Sequence, residues 1–309
     1  MIINNLTHGV HHVALGVKSL KSMRSFYEDI LKFNDVLAEF PKGEHESLEE
    51  VFRMSPVEFA SVIFRQEAGG IFVELIQMIN PSPRHIRSDF RYGDIGVNKI
   101  TIAVPDVEQF YQETKNQINF LTEPKRASIP AWGDLHFVYC KDPEGNLIEF
   151  VSEPNIEIKN KYGGVRWLGV GVSDLQRSQA FYKKLGFGKI VIEPHEIFSG
   201  LLDNVIGQEN TKIRSCLMAS SKSPAMLEVF EVMEPRGRSV PFFTRWGDFG
   251  YLQISFNAAD ISAIENYCER EGIETLCKPI KADDKLAPSH VYLKDPDGIP
   301  INCMVFNQD

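Results

Sequence analysis

A glutamate stands inside an apolar run at NLIEFV, where Glu149 is flanked by Leu147, Ile148 and Phe150. An ionised carboxylate in such surroundings is costly unless a cation or hydrogen-bond donors meet it. The run follows a Lys-Asp-Pro-Glu-Gly turn. The same phrase returns near the end of the chain as KDPDGIPINC, Lys294 to Cys303, with neutral Asn302 in the slot of Glu149. Glu74 in FVELIQ and Glu228 in MLEVF occupy similar runs, and Lys99 sits in VNKITIAV. Near the N-terminus GVHHVALGV carries adjacent His11 and His12. Strand alternation puts His12 and Ala14 on one face and His11 and Val13 on the other, so one of the two histidines enters a cleft. Imidazole and carboxylate groups hold divalent ions and move protons. A buried lysine either pairs with carboxylates or is lowered in pKa towards catalytic use. No GxSxG, P-loop or dinucleotide fingerprint is present.

The elements that must position these side chains recur four times. Gly9 to Val17 has the composition of a strand. The helix that follows, Ser19 to Phe33, has Ser19 as its N-cap and an apolar stripe through Leu20, Met23, Phe26, Tyr27, Ile30 and Leu31. Strand-like runs come next at Leu48–Met54, Phe59–Phe64 and Ile71–Ile79. This β-α-β-β-β order repeats over 97–152, 165–233 and 250–306, with Asp106, Asp174 and Asp260 as caps. Phe26-Tyr27 returns as Phe181-Tyr182, and RYGDIG at 91–96 returns as RWGDFG at 245–250. The chain is therefore a duplicated pair of units. The reading is α+β, a tandem duplication of paired βαβββ modules in two domains, 5–155 (modules at 9–80 and 97–152) and 162–309 (modules at 165–233 and 250–306). The polar stretch Ser152–Gly164 links the halves.

A tandem βαβββ unit with Phe-Tyr in its first helix and DP(E/D)G before its last strand resembles the vicinal oxygen chelate superfamily. That superfamily includes glyoxalase I, methylmalonyl-CoA epimerase, extradiol dioxygenases and the bleomycin- and fosfomycin-resistance proteins. The resemblance implies that two modules pair their sheets into a cleft. It also implies that a divalent metal is held by one residue from the first strand and one from the last strand of each. The matching last-strand positions are Glu74, Glu149, Glu228 and Asn302; the first-strand positions are His12, Lys99, Trp167 and Gln253. With each half closing its own cleft, the N-terminal cleft holds His12, Glu74 and Glu149 as metal ligands for Zn, Mn, Fe, Co or Ni, with Lys99 beside them. An ammonium about 4 Å from a divalent ion is repelled by roughly 8 kcal/mol at an effective dielectric near 20. Either Lys99 swings out, or it replaces the metal by bridging Glu74 and Glu149. The second half offers Trp167, Glu228, Gln253 and Asn302, with His290 as the residue that could rescue a site. Extradiol dioxygenases carry iron there on two histidines and a glutamate, a pattern from which Trp167, Gln253 and Asn302 depart.

The resemblance supports three readings. The first is a metal-dependent enzyme of glyoxalase/epimerase type, a lyase or isomerase acting on a small carbonyl substrate, with Glu149, Glu74 and Lys99 as catalytic groups. The second is a metal-free binding or resistance protein with Lys99 in place of the ion, and the third an extradiol-type dioxygenase. Tyr139 and Phe137 alternate onto one face before Glu149, as Phe64 does before Glu74, and with Arg91 they are the candidate substrate-binding residues. Arg91 and Asp94, echoed by Arg245 and Asp248, otherwise read as a pair fixing a turn.

Bulk properties bound the rest. The 309 residues carry a formal charge of −9 without a basic block, which argues against nucleic acid and anionic membranes as partners. Five cysteines without a CxxC pair suit a reducing cytoplasm. No apolar run approaches a membrane span, no nucleotide cofactor is expected, and a monomer or homodimer acting on a small molecule is the expectation.

Overall fold

The computed structural model describes all residues except 1–5, 47–48, 50–54, 130–131, 155, 198–200, 243, 281–287 and 306–309. The strand expected over Leu48–Met54 lies, apart from Glu49, outside the described residues.

The first module runs β1 (Thr7–Gly16), α1 (Leu20–Ser25) continued by a π-helical turn (Phe26–Ile30), β2 (Asp35–Glu44), β3 (Glu58–Gln66) and β4 (Gly69–Asn80). The second runs β5 (Gly96–Ala103), α2 (Val107–Thr114), β6 (Asn119–Phe120), β7 (Lys125–Ile129), β8 (Gly133–Lys141) and β9 (Leu147–Ser152). The third has β10 (Val165–Gly171), α3 (Leu175–Lys184), β11 (Lys189–Ile197), α4 (Asp203–Ile206), β12 (Lys212–Ala219) and β13 (Met226–Glu234). The fourth has β14 (Gly250–Ala258), α5 (Ile261–Glu271), β15 (Ser289–Lys294) and β16 (Pro300–Val305). The four helix starts are capped as the sequence predicts: Ser19, Asp106, Asp174 and Asp260 side chains accept from Ser22, Gln109, Arg177 and Ser262 backbone N–H groups.

The modules do not pair within their own halves. β1 lies antiparallel against β14, and β5 antiparallel against β10. One sheet therefore runs β2-β3-β4-β1-β14-β16-β15 from modules 1 and 4. The other runs from β8 through β9-β5-β10-β13-β12-β11, from modules 2 and 3. The two touch where Val165 pairs with Gly70. The helix-side faces of both sheets and the helices share one continuous core that includes Tyr27, Phe64, Ile100, Phe150, Leu168 and Phe256. The opposite faces carry two separate clusters, one around Tyr139 and Trp167 and one around Phe59 and Met78.

The repeated motifs are the clamps of this arrangement. Arg238 donates from Nε and Nη2 to the Asp94 carboxylate at 2.8 and 2.7 Å, and Arg84 donates to Asp248, so each half grips the entry loop of the other. The loop passes close against the neighbouring first strand. A Cβ on Gly16 would lie 2.0 Å from the Asp248 carbonyl oxygen, and one on Gly171 would lie 2.4 Å from that of Asp94, so only glycine fits at either crossing. The acid of each DPxG turn works within its half. Glu144 accepts from the Lys18 and Ser19 N–H groups at the start of α1, and Asp297 accepts from Ser173 before α3. Among the described residues no helix is long and apolar enough to cross a membrane.

Candidate functional site

In the 2–3 sheet, register places five side chains on one face. Thr101 lies beside Glu149 across β5 and β9, and Gly169 lies between Lys99 on β5 and Glu228 on β13. Trp167 is two residues before Gly169 on the same face. The Lys99 ammonium has three donors and three partners: Glu149 Oε2 at 2.5 Å, Glu228 Oε2 at 2.8 Å and the Tyr139 hydroxyl at 3.1 Å. Thr101 Oγ1 donates to the same Glu149 oxygen at 2.7 Å. Lys99 is only 1% exposed, and burial alone would drive it towards neutrality. The Glu149 and Glu228 carboxylates outweigh that effect and hold it above the usual lysine range. The lysine stem needs Gly169, where a Cβ would lie 2.7 Å from Lys99 Cγ and 2.8 Å from Cε.

Above this cluster is a cavity of about 380 Å³. Tyr92, Trp132, Phe137, Tyr139, Trp167 and Leu217 form its walls, and Glu149 and Glu228 reach its surface. Burial and then the adjacent carboxylates raise the Tyr92 and Tyr139 phenols, so both keep their protons. Burial pushes the Cys216 thiol up to about 12, which removes it as a nucleophile near neutral pH.

In the 1–4 sheet the equivalent face carries His12, Glu74, Gln253, Ser255 and Asn302, all buried. His12 Nε2 lies 3.3 Å from Glu74 Oε2 and 2.9 Å from Ser255 Oγ, while Ser61 donates to the other Glu74 oxygen at 3.2 Å. Among the described residues Asn302 Oδ1 is buried without a hydrogen-bond partner, as is His290 Nε2 one strand away. A bulge between Val10 and His12 breaks the alternation expected for the two histidines. His11 stacks on Phe72 with its Nδ1 2.8 Å from that of His12, and burial followed by the neighbouring His12 and Arg65 lowers it to about 3. Among the described residues no three His, Cys, Asp or Glu side chains are close enough to hold an ion, so His290 does not complete a two-histidine, one-carboxylate set with His12 and Glu74.

Sequence comparison matches the profile of the Glyoxalase/Bleomycin resistance protein/Dioxygenase superfamily to residues 9–150 and again to 164–302. The chain belongs to that superfamily. Its fold is similar to glyoxalase I from Zea mays, at a TM-score of 0.61 and 17% identity over 96% of this chain and 92% of that one. It is also similar to a putative dioxygenase from Bacillus subtilis, at a TM-score of 0.59 and 12% identity over 98% of this chain and 87% of that one. At these identities the likeness is one of fold. Among curated proteins none matches the chain in sequence.

Within the superfamily scaffold, the expected ligand set divides. His12 and Glu74 meet in the 1–4 sheet, but Glu149 belongs to the 2–3 sheet, because the partner of β1 is β14 and not β5. The predicted lysine bridge forms between Glu149 and Glu228, not between Glu74 and Glu149. Tyr139 and Phe137 line the cavity as expected. Phe64 does not. Ile63 is the residue opposite Glu74, so Phe64 points to the helix side and packs on Tyr27 and Phe33. Arg91 is exposed and engages Asp94 through its backbone, its N–H donating to the carboxylate and its carbonyl accepting from the Asp94 N–H; the guanidinium hydrogen-bonded to Asp94 is that of Arg238, from the other half, with Arg87 at 3.6 Å. Tyr92, Trp132 and Gly169 carried no sequence signal of a site. The fixed offset between Gly169–Lys99 and Ala14–Gln253 is the one feature that marks Gly169, and it is readable only once the pairing of modules is known.

Proposed function

We propose that the chain is a metal-free small-molecule binder of the vicinal oxygen chelate fold, acting through the cavity between modules 2 and 3. The observation that carries this reading is the Lys99 ammonium within 2.5 and 2.8 Å of two carboxylates at the positions the superfamily's resemblance assigns to metal ligands. A protonated lysine has no lone pair to offer an ion and its charge repels one, and the indole of Trp167 fills the fourth slot. The residues present therefore do not fit a metal in this cleft. The aromatic walls and the volume suit an apolar ligand body, with polar groups confined to one end.

A second reading rests on Asn302 Oδ1, buried in the 1–4 sheet without a partner among the described residues. With His12, Glu74 and Gln253 on the same face it completes a set of one imidazole, one carboxylate and two amides, which fits a divalent ion. A bound ion supplies Lewis-acid polarisation of a substrate carbonyl there. Glu74 is the lone carboxylate of the four, so glyoxalase- or epimerase-type chemistry requires it both to hold the ion and to take up the substrate proton. Asn302 stands where a second glutamate could have shared that work, which ranks this reading below the first. The single histidine of the set also disfavours dioxygenase chemistry.

Calorimetric titration of chelator-treated protein with 2-phenylethanol tests the first reading. Binding is expected to survive chelation and His12→Ala, and to be lost in Leu217→Trp, which fills the cavity. Loss of binding on chelation, or its retention in Leu217→Trp, contradicts it.

A further inference from the structure

The charge of the cavity wall points to the chemistry of its ligand. Glu149, Glu228 and Glu196 line it, and among the described residues no lysine or arginine does. Lys99 sits behind the wall: its side chain is 2% exposed against 17% for Glu228. An incoming molecule therefore meets carboxylate oxygens, which only accept hydrogen bonds, while the compensating ammonium is sealed from it. Lys99 offsets one of the two carboxylates it touches, so the cluster retains one net negative charge when all three groups are ionised. At the mouth Glu196 is shared with Arg214 at 3.6 Å, and His195 Nδ1 is 3.1 Å from its own strand's Glu193 carbonyl, so these polar groups of the rim are engaged within β11 and β12. The rings of Tyr92, Tyr139, Trp132 and Trp167 surround this carboxylate end and themselves attract cations through their faces.

Resting on the metal-free reading above, we infer that the ligand is an amphipathic cation: a compact aromatic or alicyclic body carrying an ammonium, amidinium or guanidinium group that docks on Glu228 and Glu149. The apolar body fills the aromatic walls. The cationic end supplies the charge and the donors that the floor lacks.

Three probes of nearly equal size, 2-phenylethylamine, 2-phenylethanol and 3-phenylpropanoate, separate this inference from the reading beneath it when titrated calorimetrically at pH 7.5 in chelator. The amine is expected to bind about ten-fold more tightly than the alcohol, with the carboxylate weakest. In Glu228→Gln, which leaves the balanced Lys99–Glu149 pair, the amine-to-alcohol ratio is expected to fall below about three-fold. Equal affinities for amine and alcohol, or preference for the carboxylate, overturn the charge assignment while leaving a metal-free cavity in place. If none of the three binds, the binding reading itself fails and the inference with it. The comparison among probes on the unmodified protein decides the matter even if the variant does not fold.

Discussion

Removing the Lys99 ammonium while keeping its apolar stem, as in Lys99→Met, should turn the cluster from a satisfied pair into a buried conflict. Laid end to end, the 2.5 and 2.8 Å contacts place the Glu149 and Glu228 oxygens no more than about 5.3 Å apart. Two like charges at that distance repel by about 3 kcal/mol at an effective dielectric near 20. Breaking a buried ion pair by deleting one partner typically costs about 3–5 kcal/mol, in agreement with that figure. The loss should depend on pH in a set direction. In the parent protein Lys99 is held above its ordinary pKa, so its contribution is fully present below about pH 10 and lost only as pH rises through the folded-state value, giving no slope between pH 5 and 8. In the variant, protonating one carboxylate relieves the repulsion, so stability should recover as pH falls from 8 to 5. Guanidinium unfolding at both pH values measures this. Adding Glu228→Gln should recover at pH 8 only the part of the loss that comes from mutual repulsion, because Glu149 stays buried without its cation. A loss below about 1 kcal/mol at pH 8, or an equal loss at pH 5 and pH 8, would refute the reasoning.

Gly169→Ala should displace the lysine stem and cost about 1–3 kcal/mol by overpacking, read as a lower guanidinium midpoint together with weaker 2-phenylethylamine binding. The DPxG aspartates should make the fold more stable in mild acid. Burial raises Asp142 to about 6 and Asp295 to about 7, so each contributes stability that is fully present below about pH 4 and lost as pH rises through the folded-state value. For Asp295 the span is worth about 4 kcal/mol, and the unfolding midpoint should rise between pH 8 and 5.5. Asp295→Asn should flatten that rise, and an unchanged slope would show that the aspartate does not cause it.

Much of the fold is legible in the chain because local chemistry is repeated. Cap residues sit at the same place in all four modules, Phe26-Tyr27 and Phe181-Tyr182 mark two buried helix faces, and the DPxG turns end in strands whose alternation fixes Glu149 and Asn302 towards one side. The choice of partner for each sheet edge is not legible. Alternation says which face of β1 is buried but not whether β5 or β14 lies beside it, and all four first strands offer similar edges. Distant contacts accompany that choice, Arg84 on Asp248 and Arg238 on Asp94; the repeated motif marks the two aspartates, but nothing local marks these arginines as their partners. The candidate site inherits the ambiguity. Each residue at a metal-ligand position was identifiable, yet their grouping into His12–Glu74–Gln253–Asn302 and Lys99–Glu149–Trp167–Glu228 depends on the crossing. The errors at His11 and Phe64 are smaller in kind. A bulge turns His11 to the face that strict alternation forbids, whereas Phe64 keeps its alternation and lies on the helix side because the register sets Ile63 opposite Glu74.

On the function proposed above, the ammonium of Lys99 stands in for an ion in one cleft, leaving any metal to the other. Crystals grown in manganese chloride and measured at a wavelength with strong manganese anomalous scattering test it most directly. Any anomalous peak is expected among His12, Glu74, Gln253 and Asn302, with none between Glu149 and Glu228 and with Lys99 still bonded to both. A peak between Glu149 and Glu228, with Lys99 swung away, would contradict it.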